Sequence, residues 1–132
     1  MNGDRHIELY KTYLAAFNAR SRSGIRDCLS PACTVEYQGR QASKNREEML
    51  PNYPAHWKTL SNPIDILEIR PIEGGVWTLL RVHDEGRDGE VEYYFDEEGL
   101  QIKHIIKGFT PFEKEAELTT NVSDRKETSD SV

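Results

Sequence analysis

Residues 90–109 read EVEYYFDEEGLQIKHIIKGF. Glu90, Glu92 and Tyr94 alternate with Val91, Tyr93 and Phe95, the period of two that sends successive strand side chains to opposite faces. Asp96-Glu97-Glu98-Gly99 interrupts the alternation with turn residues and LQIKHIIKGF resumes it, so the stretch reads as a hairpin. In its second strand Ile102, His104 and Ile106 share one face, while Gln101, Lys103, Ile105 and Lys107 share the other. The more apolar set predicts the buried face. His104 is then a lone imidazole among aliphatic groups, kept neutral by burial and able to accept a proton, or else a satisfied core histidine.

Upstream, NPIDILEIR (62–70) and VWTLLRVHDE (76–85) are two more strand patterns, set off by Glu73-Gly74-Gly75 and by the segment 84–89. Four strands with short connections predict an antiparallel meander. Both faces of VWTLLRVH are bulky; parity favours Val76, Thr78, Leu80 and Val82 inward, with Trp77 outside. A slip of one residue would bring Arg81 and His83 inward instead, which makes Arg81 a substrate-binding candidate on that alternative.

Before residue 60 the periodicity is helical. Asp4 can cap a helix with Ile7, Tyr10, Leu14 and Phe17 along one stripe, and Tyr13 sits at its edge. His6 reads as an exposed first-turn residue. Ser23 can cap a second helix carrying Ile25, Cys28 and Leu29, which Pro31 stops at Ser30. CTVEYQ (33–38) reads as a first strand between Pro31 and Gly39. Asn45 followed by Glu48 resembles a capping box, opening a third helix that Pro51 and Pro54 split into two pieces. Tyr53 and Trp57, four apart, can share one of its faces. Helices first and a meander afterwards predict an α+β domain: a cone-shaped curved antiparallel sheet wrapped against about three N-terminal helices. Its interior suits a small ligand.

The 132 residues fit one domain, expected over 1–112. Hydrophobic residues are 36% and charged residues 30%, with net charge −6; 17 basic side chains scattered among 23 acidic ones offer no patch for nucleic acid. No stretch approaches the ~20 apolar residues of a membrane span, and the N-terminus lacks the apolar run of a signal peptide, so a cytoplasmic protein is expected. Cys28 and Cys33 read as two small buried thiols. From Glu113 the chain carries six acids and three bases with few large apolar groups, and 113–132 is expected to be a disordered acidic tail. The four histidines lack metal-ligand spacing with carboxylates, and no dinucleotide, phosphate-loop or nucleophile motif occurs, so no metal and no cofactor are expected.

Over about residues 5 to 112, YLAAFNAR followed by a short helix, SPACTVEY entering a strand, a third helix and FDEEGLQIKHI as the last hairpin resemble the nuclear transport factor 2-like superfamily. Within it they are similar to the SnoaL-like and ketosteroid-isomerase-like small enzymes. SPACTVEY, the following helix and the charged tail also resemble a fungal branch acting on secondary metabolites, which includes isomerases that rearrange meroterpenoid rings. The resemblance implies a cavity bounded by the first helix, the third helix and the concave sheet face, and commonly a homodimer through the other face.

In ketosteroid-isomerase-like members a first-helix tyrosine donates to the substrate carbonyl, and in register it falls on Tyr13; the alternative is a packing tyrosine at the helix edge. The basic aspartate of those enzymes falls on Tyr37 and their second, protonated acid on Val91. With neither carboxyl matched, simple steroid isomerisation is not implied. Glu36, where the fungal branch carries an ionisable residue, neighbours Tyr37, and only one of the two can face the cone. The resulting expectation is a cofactor-free isomerase, cyclase or dehydratase for a hydrophobic carbonyl-bearing polyketide or terpenoid intermediate. Tyr13, His104, Tyr37 and Glu36 are its catalytic candidates, and Phe17, Tyr53, Trp57, Tyr93 and Arg81 its substrate contacts. The alternative is a non-catalytic ligand-binding or dimerisation domain on the same scaffold.

Overall fold

A computed structural model describes residues 2–112; the expected tail lies outside the described residues. Helix α1 (Asn2–Asn18) begins two residues before Asp4, so Asp4 is not its cap but an acid in the first turn, where it suits the helix dipole. The helix ends on Arg20 in the left-handed region (φ 58°), with the Ser21 N–H bonded to Ala16 O at 2.9 Å. That conformation costs a non-glycine residue roughly 1 kcal/mol, and the Arg20 guanidinium donates to the Leu60 carbonyl across the fold. Because the chain reverses at Arg20, Ser21 rather than Ser23 caps α2 (Arg22–Cys28), its hydroxyl accepting from the Gly24 N–H at 3.0 Å.

Strand β1 (Leu29–Tyr37) starts four residues earlier than CTVEYQ suggests and runs through Pro31. Its ladder is irregular between Leu29 and Thr34, where the proline has no N–H to give. The short, polar β2 (Arg40–Ser43) carries no alternation that the sequence reading could detect. Asn45 caps α3 (Arg46–Met49) as expected, its Oδ1 accepting from the Glu48 N–H at 2.9 Å; Glu48 Oε1 reaches back to the Lys44 N–H at 3.0 Å. Pro51 separates α3 from α4 (Asn52–Trp57).

The meander is β3 (Asp65–Ile72), β4 (Gly75–Val82), a single 3-10 turn at His83–Glu85, β5 (Arg87–Phe95) and β6 (Gln101–Pro111). The sheet order is β2-β1-β6-β5-β4-β3, antiparallel throughout except that β1 lies parallel to β6. Breaks in the ladder at Val35/Glu36, Ile66/Glu68, Glu90/Val91 and Tyr94/Phe95 supply the bends that curl the sheet around α1 and α4. The architecture is the expected α+β roll. Val76, Thr78, Leu80 and Val82 face inward and are all buried, as parity favours; Trp77, Leu79 and Arg81 face outward.

The break at Tyr94/Phe95 corrects one face. Lys103 pairs with Tyr94 and Gln101 with Phe95, leaving Ile102 as the extra residue. Parity therefore reverses across Ile102. His104 is buried, but its companion is Gln101, 1% exposed, whereas Ile102 is 39% exposed. His6 is also corrected: it is buried, stacked on Phe95 at 4.9 Å with planes 11° apart. Cys33 is fully buried and Cys28 half-buried, and both are free thiols. No helix among the described residues is long and apolar enough to cross a membrane.

Candidate active site

Concave sheet, α1 and the α3–α4 segment enclose a cavity of about 350 Å³. Its deep end is aromatic. Tyr13 on α1 and Tyr53 on α4, both buried, bring their hydroxyls to 2.9 Å. Tyr93, inward on β5, packs on Tyr10 at 4.5 Å and on Tyr13 at 5.8 Å. His104 stands edge-on to Tyr93 at 4.7 Å and to Tyr13 at 5.6 Å. These side chains arrive from four elements, α1, α4, β5 and β6, and the wall between them is apolar: Val35, Met49, Leu80, Val91 and Ile106.

Dry walls set the protonation states. Burial pushes the Tyr13 phenol well above its ordinary range, and the neighbouring Tyr53 and Tyr93 phenols add to this. Burial likewise raises Tyr53, partly opposed by its bond to Tyr13, and lifts Tyr93 to about 12. All three are neutral donors. Desolvation holds His104 down to about 3, so its ring is neutral. His104 Nε2 is hydrogen-bonded to Gln101 Oε1. Nε2 is thereby engaged with Gln101, and Nδ1 has no hydrogen-bond partner among the described residues. Of two hydroxyls sharing one hydrogen bond, one donates and the other retains a proton to give elsewhere. The Tyr13–Tyr53 pair thus holds one donor in reserve for a ligand oxygen.

The structure sorts the expected residues. Tyr13, Phe17, Tyr53, Tyr93 and His104 line the cavity together. Tyr37 lines it too, at the mouth, 38% exposed and stacked with Phe109. Glu36, one step along the strand, is not among the lining residues and is corrected to the other face. Trp57 does not line this cavity; it stands behind Tyr53 and Phe17, at 6.1 and 5.8 Å. Arg81 is corrected as well: it lies on the outer face, bonded to Asp88 at 2.9 and 3.1 Å and stacked over Phe112. His83 bonds Asp65 at 2.6 Å outside the cone, so the slipped register does not occur.

Sequence reasoning missed Gln101, hidden by the extra residue at 102. It also missed the charged mouth, where Glu85, Arg87 and His56 join Tyr37. Reading 84–89 as a turn concealed Arg87; extending the odd-numbered parity of Val91 and Tyr93 back by two steps would have found it. Among the described residues no three His, Cys, Asp or Glu side chains converge as a metal site.

No protein-family model matches the chain, and no curated protein matches it in sequence. Solved structures do match. A SnoaL-like protein of unknown function from Burkholderia thailandensis superposes with a TM-score of 0.69 at 10% identity, over 80% of this chain and 93% of that one. A Mycobacterium tuberculosis protein in complex with estradiol-17β-hemisuccinate gives 0.66 at 15% identity, over 80% and 97%. A candidate isomerase of the SnoaL-like family from Agrobacterium tumefaciens gives 0.62 at 14%, over 80% and 99%. At such identities the likeness is one of architecture, and the architecture is that of the SnoaL-like, nuclear transport factor 2-like fold.

Proposed function

We propose that the cavity is the active site of a cofactor-free isomerase, cyclase or dehydratase that moves a proton on a hydrophobic, carbonyl-bearing small molecule of polyketide or terpenoid type. The observation that carries this reading is the buried Tyr13–Tyr53 hydroxyl pair at 2.9 Å, with a neutral His104 edge-on to Tyr13 at 5.6 Å in the same apolar space. A substrate carbonyl oxygen takes the reserve proton donor of the phenol pair. Nδ1 of His104 removes a proton from the adjacent carbon, the C–H electron pair moves into the carbonyl, and the enolate oxygen is held by the phenols. Return of the proton at another carbon, or loss of a leaving group, completes the reaction.

Magnitudes decide whether His104 suffices as a base. Its depression from 6.5 to about 3 corresponds to roughly 5 kcal/mol against protonation. An enolate forming about as far off as the Tyr13 ring, 5.6 Å, returns roughly 3 kcal/mol at an effective dielectric of about 20. More than half the penalty is recovered only while the enolate exists. The base is weak at rest and strengthened in the transition state.

The low basicity of His104 also favours a second reading, ligand binding without turnover. Exchange of α-protons in D2O, followed by NMR on a panel of apolar cyclic ketones, separates the two. Turnover predicts exchange that Tyr13→Phe and His104→Gln each slow by about 10²-fold or more. Ketones that bind without exchanging would sink the enzymatic reading. The relatives support the class: one is a candidate isomerase and another binds a steroid ester. The same reading includes a cytoplasmic homodimer through the outer sheet face, where Trp77 and Ile105 are half-buried, and sedimentation equilibrium tests the dimer.

A further inference from the structure

Arg87 is the one arginine or lysine among the residues lining the cavity. It opens β5 and shares the inward parity of Gly89, Val91 and Tyr93. Four contacts build its position. Its guanidinium carbon lies 3.9 Å from the Phe109 ring centroid, so a flat cation rests on a flat ring. Phe109 in turn lies against Gly89: a Cβ at Gly89 would come within 2.7 Å of the Phe109 ring. Tyr37 stacks on Phe109 at 6.4 Å. Last, Nε donates to Glu85 Oε1 at 2.6 Å.

This arrangement spends Nε and leaves the two Nη groups without a protein hydrogen-bond partner among the described residues. An outward Nη1/Nη2 edge is the geometry that takes both oxygens of a carboxylate in parallel bonds. Between this edge and the phenol pair, the cavity presents Gly89, Val91, Leu80, Val82 and Ile106, none with a polar side-chain atom. On the sheet side, polar groups therefore sit at the two ends of this wall with apolar side chains between them, while Ser43, Asn52 and His56 add polar atoms to the rest of the lining.

We propose that Arg87 binds a substrate carboxylate at the mouth, so that the substrate is an elongated apolar molecule with its reacting carbonyl at the inner end and a carboxylate at the outer end. The outer half stands on Arg87 and its platform; the inner half rests on the phenol-pair reading given above. Glu85 competes for the same guanidinium, so it sets how tightly the acid is held.

The test uses androstenone carboxylate, a rigid steroid with a ring A enone and a ring D carboxylate, and its uncharged methyl ester. Dissociation constants come from quenching of the protein's intrinsic fluorescence. The acid should bind about tenfold more tightly than the ester, as expected for one charge-assisted bidentate contact. Arg87→Gln should abolish that preference while leaving ester affinity within about twofold; Glu85→Gln should strengthen acid binding about threefold and leave the ester unchanged. Equal binding of acid and ester by the wild type, or a preference that survives Arg87→Gln, would overturn the proposal. Tyr13→Phe should weaken acid and ester by one common factor. Loss of that effect with the acid preference intact would count against the phenol pair and leave the Arg87 assignment standing.

Discussion

Tyr93 and Tyr94 are neighbours on β5 and face opposite sides of one sheet. Tyr94, outside, donates its hydroxyl to Glu92 Oε1 at 2.7 Å, and Glu92 also holds Lys107 at 3.3 Å. Trp77 on the same face donates to Glu90 at 2.7 Å and lies under the Arg70 guanidinium. Every aromatic polar atom named there is matched by a carboxylate. Inside, no carboxylate accepts from Tyr93 or its companions, and the hydroxyls of Tyr13 and Tyr53 bond to each other. Both faces carry aromatic donors; what differs is whether donor capacity is spent on the protein or kept for something else.

The largest test of this contrast is acid. A histidine whose folded pKa lies near 3 and whose unfolded value is 6.5 leaves the native state neutral while the unfolded chain takes up a proton. Its contribution is fully present above pH 6.5 and is lost as pH falls from there toward 3, at about 1.4 kcal/mol per pH unit and roughly 5 kcal/mol in all. Urea unfolding at stepped pH should show that slope in the wild type and a much flatter one in His104→Gln. His6, also lowered by burial and by Arg5 beside it, adds in the same direction. A wild-type curve no steeper than that of the variant would show that His104 is not desolvated.

Next in size is a gain. Gln101→Glu replaces the amide oxygen on His104 Nε2 with a carboxylate, which favours the imidazolium. The loss of stability through His104 on acidification should shrink, its lower end rising from near pH 3 while its upper end stays at 6.5, and proton-exchange activity should rise by about tenfold or more if basicity limits it. Comparing Tyr53→Phe with Tyr94→Phe then sharpens the two-face contrast. The inner change breaks the phenol pair and should cost about 10²-fold in exchange rate, whereas the outer one should leave the rate within about twofold. The smallest effect is expected for Glu90→Gln, which weakens a half-buried bond to Trp77 and should shift stability by about 1 kcal/mol or less.

Much of the inner face could be read from alternation alone. Val76 to Val82 and Val91 to Phe95 follow strict parity, and the capping pair at Asn45 and Glu48 follows local hydrogen-bonding chemistry. The reading failed where the backbone departs from its period. An extra residue at Ile102 exchanged that isoleucine for Gln101, and a left-handed Arg20 moved a helix cap from Ser23 to Ser21. The site was legible in its aromatic half because burial selects those residues. Its mouth was not, because reading 84–89 as a turn hid the parity of Arg87, and because Phe109 reaches Arg87 only through the pairing of β5 with β6.

The parallel seam between β1 and β6 has a consequence for the birth of the protein. Leu29 pairs with Gln101 and Val35 with His104, partners separated by about seventy residues. Contacts so distant in sequence carry a large loop-closure cost and are slow to form. On the ribosome β1 is made early and must wait for the last strand to emerge, so the wall joining Val35 and Tyr37 to His104 and Ile106 is assembled only when synthesis of the domain is nearly finished. Until then Val35 and Tyr37 lack their β6 partners and this wall of the cavity stays open, an interval in which unpaired strand edges favour aggregation.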